Sequence, residues 1–224
     1  NEYNSDDDIS DDEEEEEEED DDEDGEGIVD VEDMGTEMDS ADNNGEKPLR
    51  PMLSERQHRA LTKQGYRIIG SHSGVKLCRW TKAMLRGRGG CYKHTFYGIV
   101  SYLCMEMTPS LACANKCTFC WRHHTNPVGR EWKWQMDQPE PILQGAIQNH
   151  RKMIQIFKGT PGIQPQRYVE AQQPKHCALS LVGVPLMYPE INKFLDLLHR
   201  EDISSFLVTN AQFPEQMIEL TPCT

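Results

Sequence analysis

Residues 51–224 of this 224-residue chain predict an α/β fold, a parallel sheet curved towards a partial (β/α) barrel, preceded by a disordered acidic arm. Two patterns carry the fold class. Short apolar runs of strand length alternate with stretches of helical periodicity, and residues suited to chemistry fall where those runs end. A third observation sets the boundary: residues 1–50 hold 26 Asp and Glu against Lys47 and Arg50, a balance of −24, whereas the remaining 174 hold 12 acids and 21 bases, or +9. The arm, with an unbroken acidic run over residues 11–24, has too little apolar surface to offset its ordering entropy and reads as a solvated linker. A chain that opens in such a run looks cut from something longer.

The elements follow in order. Ser54 and Gln57 make a capping-box signature and Gly65 a stop, giving a helix over 55–64. Residues 66–69 alternate as a strand, 71–74 are turn chemistry, and 101–105 form a short apolar strand that delivers Cys104 and the loop beyond it. Ile142, Leu143, Ala146, Ile147, Met153, Ile154 and Phe157 recur at helical spacing behind Pro139 and Pro141, so a helix runs to about Lys158. Pro161, Pro165 and Pro174 make 160–175 a loop. A buried strand over 177–182, a helix over 189–200, a strand over 206–209 and a short helix opened by Pro214 complete the chain. The last strand leaves apolar Phe206, Leu207 and Val208 on an uncovered sheet edge. No stretch approaches the ~20 apolar residues of a membrane span and no signal-peptide pattern opens the chain, so a cytoplasmic location without a membrane partner is expected.

Eight cysteines without a secretory signal read as metal ligands rather than as a disulfide framework. Cys113, Cys117 and Cys120, with Phe119 before the last, can hold three irons of a 4Fe-4S cubane and leave the fourth open to a small molecule. A structural zinc site completed by His123 or His124 is the competing reading. Cys78, Cys91 and Cys104 lie at intervals of 13 positions and form a second triad, either a second 4Fe-4S site or three core cysteines. Arg79, Arg86, Arg88 and Lys93 make that neighbourhood polar and suited to thiolates. Cys177, in an apolar run, reads as a small buried side chain, and Cys223 carries no assignment. No acid occurs from Arg56 to Met105 while ten Lys and Arg do, a footprint for RNA or a solvated basic face.

The spacing of Cys113, Cys117 and Cys120, with Phe119, resembles the signature of the radical S-adenosylmethionine (SAM) enzymes. The two triads in this order, continued by Trp121-Arg-His-His124, Arg130-Glu-Trp-Lys-Trp134 and residues 204–213, resemble the 4-demethylwyosine synthases of tRNA wybutosine biosynthesis. That resemblance implies a partial barrel of the radical SAM type and a lyase that condenses N1-methylguanosine of phenylalanine tRNA with pyruvate. It implies that Cys113, Cys117 and Cys120 hold the SAM-binding 4Fe-4S cluster, and that Cys78, Cys91 and Cys104 hold an auxiliary one that binds pyruvate. Lys93 matches the lysine that forms a Schiff base with the ketone, a role suited to an amine whose pKa is lowered by cationic neighbours. Phe119, Gly183, Val184, Pro185 and Asn210 fall at the SAM site, and electrons come from a flavin-containing donor. Three departures accompany the match. The family's Gly-Glu-Pro is Gly183-Val184-Pro185 here, the FMN-carrying flavodoxin-like domain is absent, and the chain stops after the third of six strands, as in a truncated paralogue. A catalytically degenerate iron-sulfur or zinc module that binds tRNA or a protein partner is the alternative.

Overall fold

Helix α1 (Glu55–Lys63) opens on the expected capping box, with the Gln57 amide donating to the Ser54 hydroxyl at 3.3 Å and the Ser54 amide to the Gln57 side chain at 2.9 Å. The structure, a computed structural model, describes residues 49–115, 117, 118, 120 and 126–223. The acidic arm up to residue 48, together with Phe119, His123 and His124, lies outside the described residues. Arg50 already belongs to the folded part, its carbonyl accepting from the Gln135 amide at 2.9 Å.

Strands β1 (Tyr66–Ile69), β2 (Ser73–Lys76), β3 (Cys104–Thr108), β4 (His176–Leu179) and β5 (Ser204–Leu207) form one sheet in that spatial order. Pairs β1/β2 and β2/β3 are antiparallel, and β3/β4 and β4/β5 are parallel. The sheet is therefore mixed rather than purely parallel. The segment expected as turn 71–74 is the end of a hairpin, with Ile69 opposite Ser73, because Gly74 pairs in the ladder instead of breaking it. Three further helices escape the sequence reading. Helices α2 (Arg79–Leu85) and α3 (Tyr92–Tyr97) lie in the basic run, and α5 (Pro165–Glu170) lies in the expected loop. Proline at α5's first position has the fixed φ a helix start needs, so it opened an element where it was read as a breaker.

Helices α4 (Pro139–Gln155) and α6 (Ile191–Arg200) cover one face of the sheet. Ile142, Leu143, Ala146 and Met153 of α4 and Phe194, Leu195 and Leu198 of α6 pack there with Met105, Met107, Cys177 and Leu179. A large apolar side chain buried in this layer contributes ~1.5–3 kcal/mol. Helix α7 (Pro214–Ile218) closes the chain as expected. Strand β5 is the sheet edge, and two of the three apolar residues expected to be uncovered are not: Phe206 lies 5.1 Å from the Tyr97 ring and Leu207 packs against the core, whereas Val208 is exposed.

His72, fully buried at the hairpin, joins three segments. Its Nδ1 donates to the Pro109 carbonyl at 2.6 Å, its Nε2 accepts from the Asp137 amide at 3.0 Å, and the Trp132 ring stands edge-on at 4.7 Å. Burial lowers its pKa, which keeps the acceptor nitrogen unprotonated.

His150 of α4 is also fully buried, and neither ring nitrogen has a hydrogen-bond partner among the described residues. Burial lowers its pKa to about 4. The folded state binds this proton less well than the unfolded chain, so the contribution is complete above pH 6.5 and is lost as pH falls towards 4. The difference in urea stability between wild type and His150→Leu should change by about 3 kcal/mol across that window. A pH-independent difference would contradict the burial of a neutral imidazole.

Candidate active site around a buried lysine

Alternation along β3 turns Met105 and Met107 towards α4 and α6 and sends Cys104 and Glu106 to the opposite face. Ala178 and Phe206 flank Cys104 on that face, together with Ile99 just after α3. Cys78 and Cys91 are the N-cap residues of α2 and α3, so each enters the site from the first turn of a helix. A 3-10 turn, Ser101–Leu103, ties the segments together. The Thr81 hydroxyl donates to the Ser101 carbonyl at 2.9 Å, the Cys91 amide to the Ser101 hydroxyl at 3.2 Å, and that hydroxyl to Cys91 Sγ at 3.5 Å. Cys104 lies within electrostatic reach of Cys78, Cys91, Lys93 and Glu106. The segments that carry Cys78, Cys91 and Cys104 thus meet at the start of β3.

Lys93 is the one buried side chain of α3, 4% exposed, and its Nζ donates to Glu106 Oε1 at 2.6 Å. Burial alone would lower its pKa, but the charge and hydrogen bond of Glu106 outweigh burial and raise it. This corrects the expectation of an amine depressed by cationic neighbours. Arg79, Arg86 and Arg88 are exposed, whereas the charge that reaches the amine is an anion. The thiols are corrected in the same way. Burial raises Cys78, and it raises Cys104 to about 12; Lys93 offsets this only in part. Sequence reasoning missed Glu106, although a visible signal existed: it is the first acid after fifty residues without one, two positions from Cys104 and so on the same strand face.

The first triad lies beyond the other end of β3. Cys113 is held by a parallel bridge to Val128, and the Cys120 amide donates to the Cys117 carbonyl at 3.1 Å. Cys113 and Cys117 are half-buried and Cys120 is exposed. Among the described residues no three His, Cys, Asp or Glu side chains are close enough to hold one metal ion. Cys177 is buried on β4 as expected, and Cys223 is exposed.

Gly183, Val184 and Pro185 follow β4 and buttress the segment before the first triad. Gly183 has φ +73, and a Cβ there would overlap the Ser110 carbonyl oxygen. The Val184 amide donates to the Ala112 carbonyl at 2.8 Å. Val184 itself is 5% exposed in an apolar cluster with Leu111, Ala112, Ala114 and Leu186, and Pro185 is buried. Asn210 is exposed beyond the end of β5. Phe119 lies outside the described residues.

Two outcomes check this geometry. Glu106→Leu strands a buried ammonium and should cost ~3 kcal/mol in urea unfolding of the iron-free chain, most of it recovered in the Lys93→Met/Glu106→Leu double variant. Simple additivity would show that the pair is not coupled. Val184→Glu places a carboxylate among aliphatic side chains and should lower stability by at least ~2 kcal/mol in the same assay, so an unchanged midpoint would place this side chain in water.

No family model matches the chain. The S-adenosyl-L-methionine-dependent tRNA 4-demethylwyosine synthase TYW1 of Xenopus laevis is 63% identical over 222 residues, covering 90% of this chain and 30% of that protein. The Mus musculus protein of the same name is 61% identical over 221 residues, covering 88% and 30%. The chain thus spans about 30% of the length of the curated relatives it matches. A solved structure described as TYW1 with a lysine-pyruvate adduct bound superposes with a TM-score of 0.68 at 31% identity, over 76% of this chain and 56% of that one. Sequence and fold agree: over the segment it spans, the chain is similar to the tRNA 4-demethylwyosine synthases named TYW1.

Proposed function

We propose that this chain carries the cluster-binding and pyruvate-binding segment of a radical SAM lyase that converts N1-methylguanosine of phenylalanine tRNA into 4-demethylwyosine. The observation that supports it most is the gathering of Cys78, Cys91 and Cys104 around a buried lysine, in a chain whose relatives are named for that synthase and whose structural neighbour holds a lysine-pyruvate adduct. In this reading β3, β4 and β5 are parallel strands of a (β/α) barrel of the radical SAM type.

The donor sets fit 4Fe-4S clusters. Each thiolate of a cubane binds its own iron, so three sulfurs need not close around one ion. Cys113, Cys117 and Cys120 would hold the SAM-binding cluster, and Cys78, Cys91 and Cys104 the auxiliary one. When bound, the first cluster and SAM supply the reducing electron and the hydrogen abstraction that starts the reaction. Lys93 would condense with pyruvate: its ammonium passes one proton to Glu106, the freed amine forms a carbon–nitrogen double bond to the ketone carbon, and the ketone oxygen leaves with the amine's two hydrogens as water. Glu106 holds the amine at the start of β3, and Ile99, Ala178 and Phe206 keep that face apolar. Gly183, Val184 and Pro185 act through backbone and packing to set the loop that carries Cys113, while Phe119 and Asn210 are proposed SAM neighbours by resemblance alone. Electrons come from a flavin donor on another polypeptide segment, FMN having no proposed site here. Among the described residues no helix is long and apolar enough to cross a membrane, and the proposed place of action is the cytoplasm.

A second reading, a non-catalytic iron-sulfur or zinc module, is favoured by Val184, which offers SAM's ammonium no acceptor. Two experiments separate the readings. Anaerobic reconstitution should give about eight irons per chain, and Cys91→Ala about four. Borohydride reduction in the presence of pyruvate should add its mass to wild type and not to Lys93→Met. Tight zinc without iron, or no trapped adduct, would overturn the lyase reading.

A further inference from the structure

We infer that the outward face of α3, formed by Tyr92, Phe96 and Tyr97, is a stacking platform for unpaired RNA bases beside the buried amine. The inference rests on the RNA-modifying reading above and adds the surface by which the RNA would be held.

Helix α3 is inverted with respect to an ordinary surface helix: its one buried side chain is a lysine, while its aromatic rings face solvent. Tyr92 is 53%, Phe96 76% and Tyr97 63% exposed. Scattered surface apolar residues are ordinary, but three aromatic rings on one six-residue helix form a patch. Tyr92 and Phe96 stand one helical turn apart, so their rings share a side. The patch is tied at both ends. Lys93 Nζ lies 5.7 Å from the Tyr92 ring centroid, and Tyr97 is braced by Phe206 of β5 at 5.1 Å. Gly98, at φ +68, ends the helix so that Ile99 turns inward directly after Tyr97. The platform therefore has a fixed orientation beside the amine.

Charge selects the occupant. Helix α2 is a neighbour of α3, since Gly90 is wedged between Met84 of α2 and His94 of α3. From α2 and the turn after it, Arg79, Lys82, Arg86 and Arg88 are exposed, and no acid interrupts the sequence from Arg56 to Met105. Aromatic faces among cations suit a polyanion with exposed π-faces. A base-paired helix hides those faces within its own stack, whereas an unpaired loop presents them. Stacking on Tyr92 and Phe96 would place a loop base on the ring that lies 5.7 Å from Lys93 Nζ.

The test titrates the whole chain with a short RNA hairpin carrying a 2-aminopurine in its unpaired loop, and with a blunt RNA duplex. Wild type should quench the loop fluorophore. Phe96→Ala should bind the hairpin roughly tenfold or more weakly, with the salt dependence and the duplex affinity unchanged. Phe96→Trp should restore quenching, and Arg86→Ala should instead reduce the salt slope for both RNAs. Phe96 is so exposed that its removal leaves the core intact. If wild type binds and Phe96→Ala binds the hairpin equally well, or loses hairpin and duplex alike, the platform is wrong while the RNA reading stands. If wild type binds neither RNA at low salt, the RNA reading itself fails. If sedimentation shows a dimer that Phe96→Ala dissolves, the face belongs to a second copy of this chain and the inference is overturned.

Discussion

The alternation of side chains along β3 is the constraint on which the rest depends. The strand is third of five, hydrogen-bonded on both sides, and a slip of one residue would exchange its two faces. Met105 and Met107 commit one face to the helical layer, and that apolar demand fixes where Cys104 and Glu106 must point. The chemistry at the start of β3 is thus held in register by packing on the far side of the sheet.

Within the site, burial and pairing decide the charge states. An ammonium as enclosed as that of Lys93 could not persist unpaired, and Glu106 on the adjoining strand face is its counter-ion. The same enclosure favours the protonated thiols of Cys78 and Cys104. Ser101 sets the geometry, because one residue's hydroxyl and carbonyl reach the segments that carry Cys78 and Cys91, three positions before Cys104. Such a knot orders the three sulfur-bearing segments before any cofactor arrives.

At the other end of β3 the support is of a different kind. The segment that leads to Cys113 leaves the strand through Pro109 and Ser110, which are gripped by His72 from the hairpin and by the turn at Gly183. Neither contact touches a sulfur. Both fix the path of the backbone that presents Cys113, which is why a missing side-chain acid at position 184 leaves the loop's scaffold in place.

The chain's own order of residues determined the local elements with clear signals: the capping box at Ser54, the long amphipathic α4 behind its prolines, and the strands at 66 and near 177. Spacing and periodicity are short-range quantities, and these features are short-range. Helices α2 and α3 were illegible because they are short: α2 buries a stripe of only Thr81, Met84 and Leu85, and α3 buries no apolar residue at all. The hairpin partner β2 was illegible because its Gly74 is a turn residue by propensity and a strand residue only through its neighbours. Family resemblance pointed to Lys93, but its charge state was read from the wrong neighbours, since sequence proximity placed arginines near it and the fold placed a carboxylate there. Which residues carry sulfur and amine was written in the sequence; which charge meets them was decided only when β3 brought Glu106 under α3, because electrostatics acts through space and not along the chain.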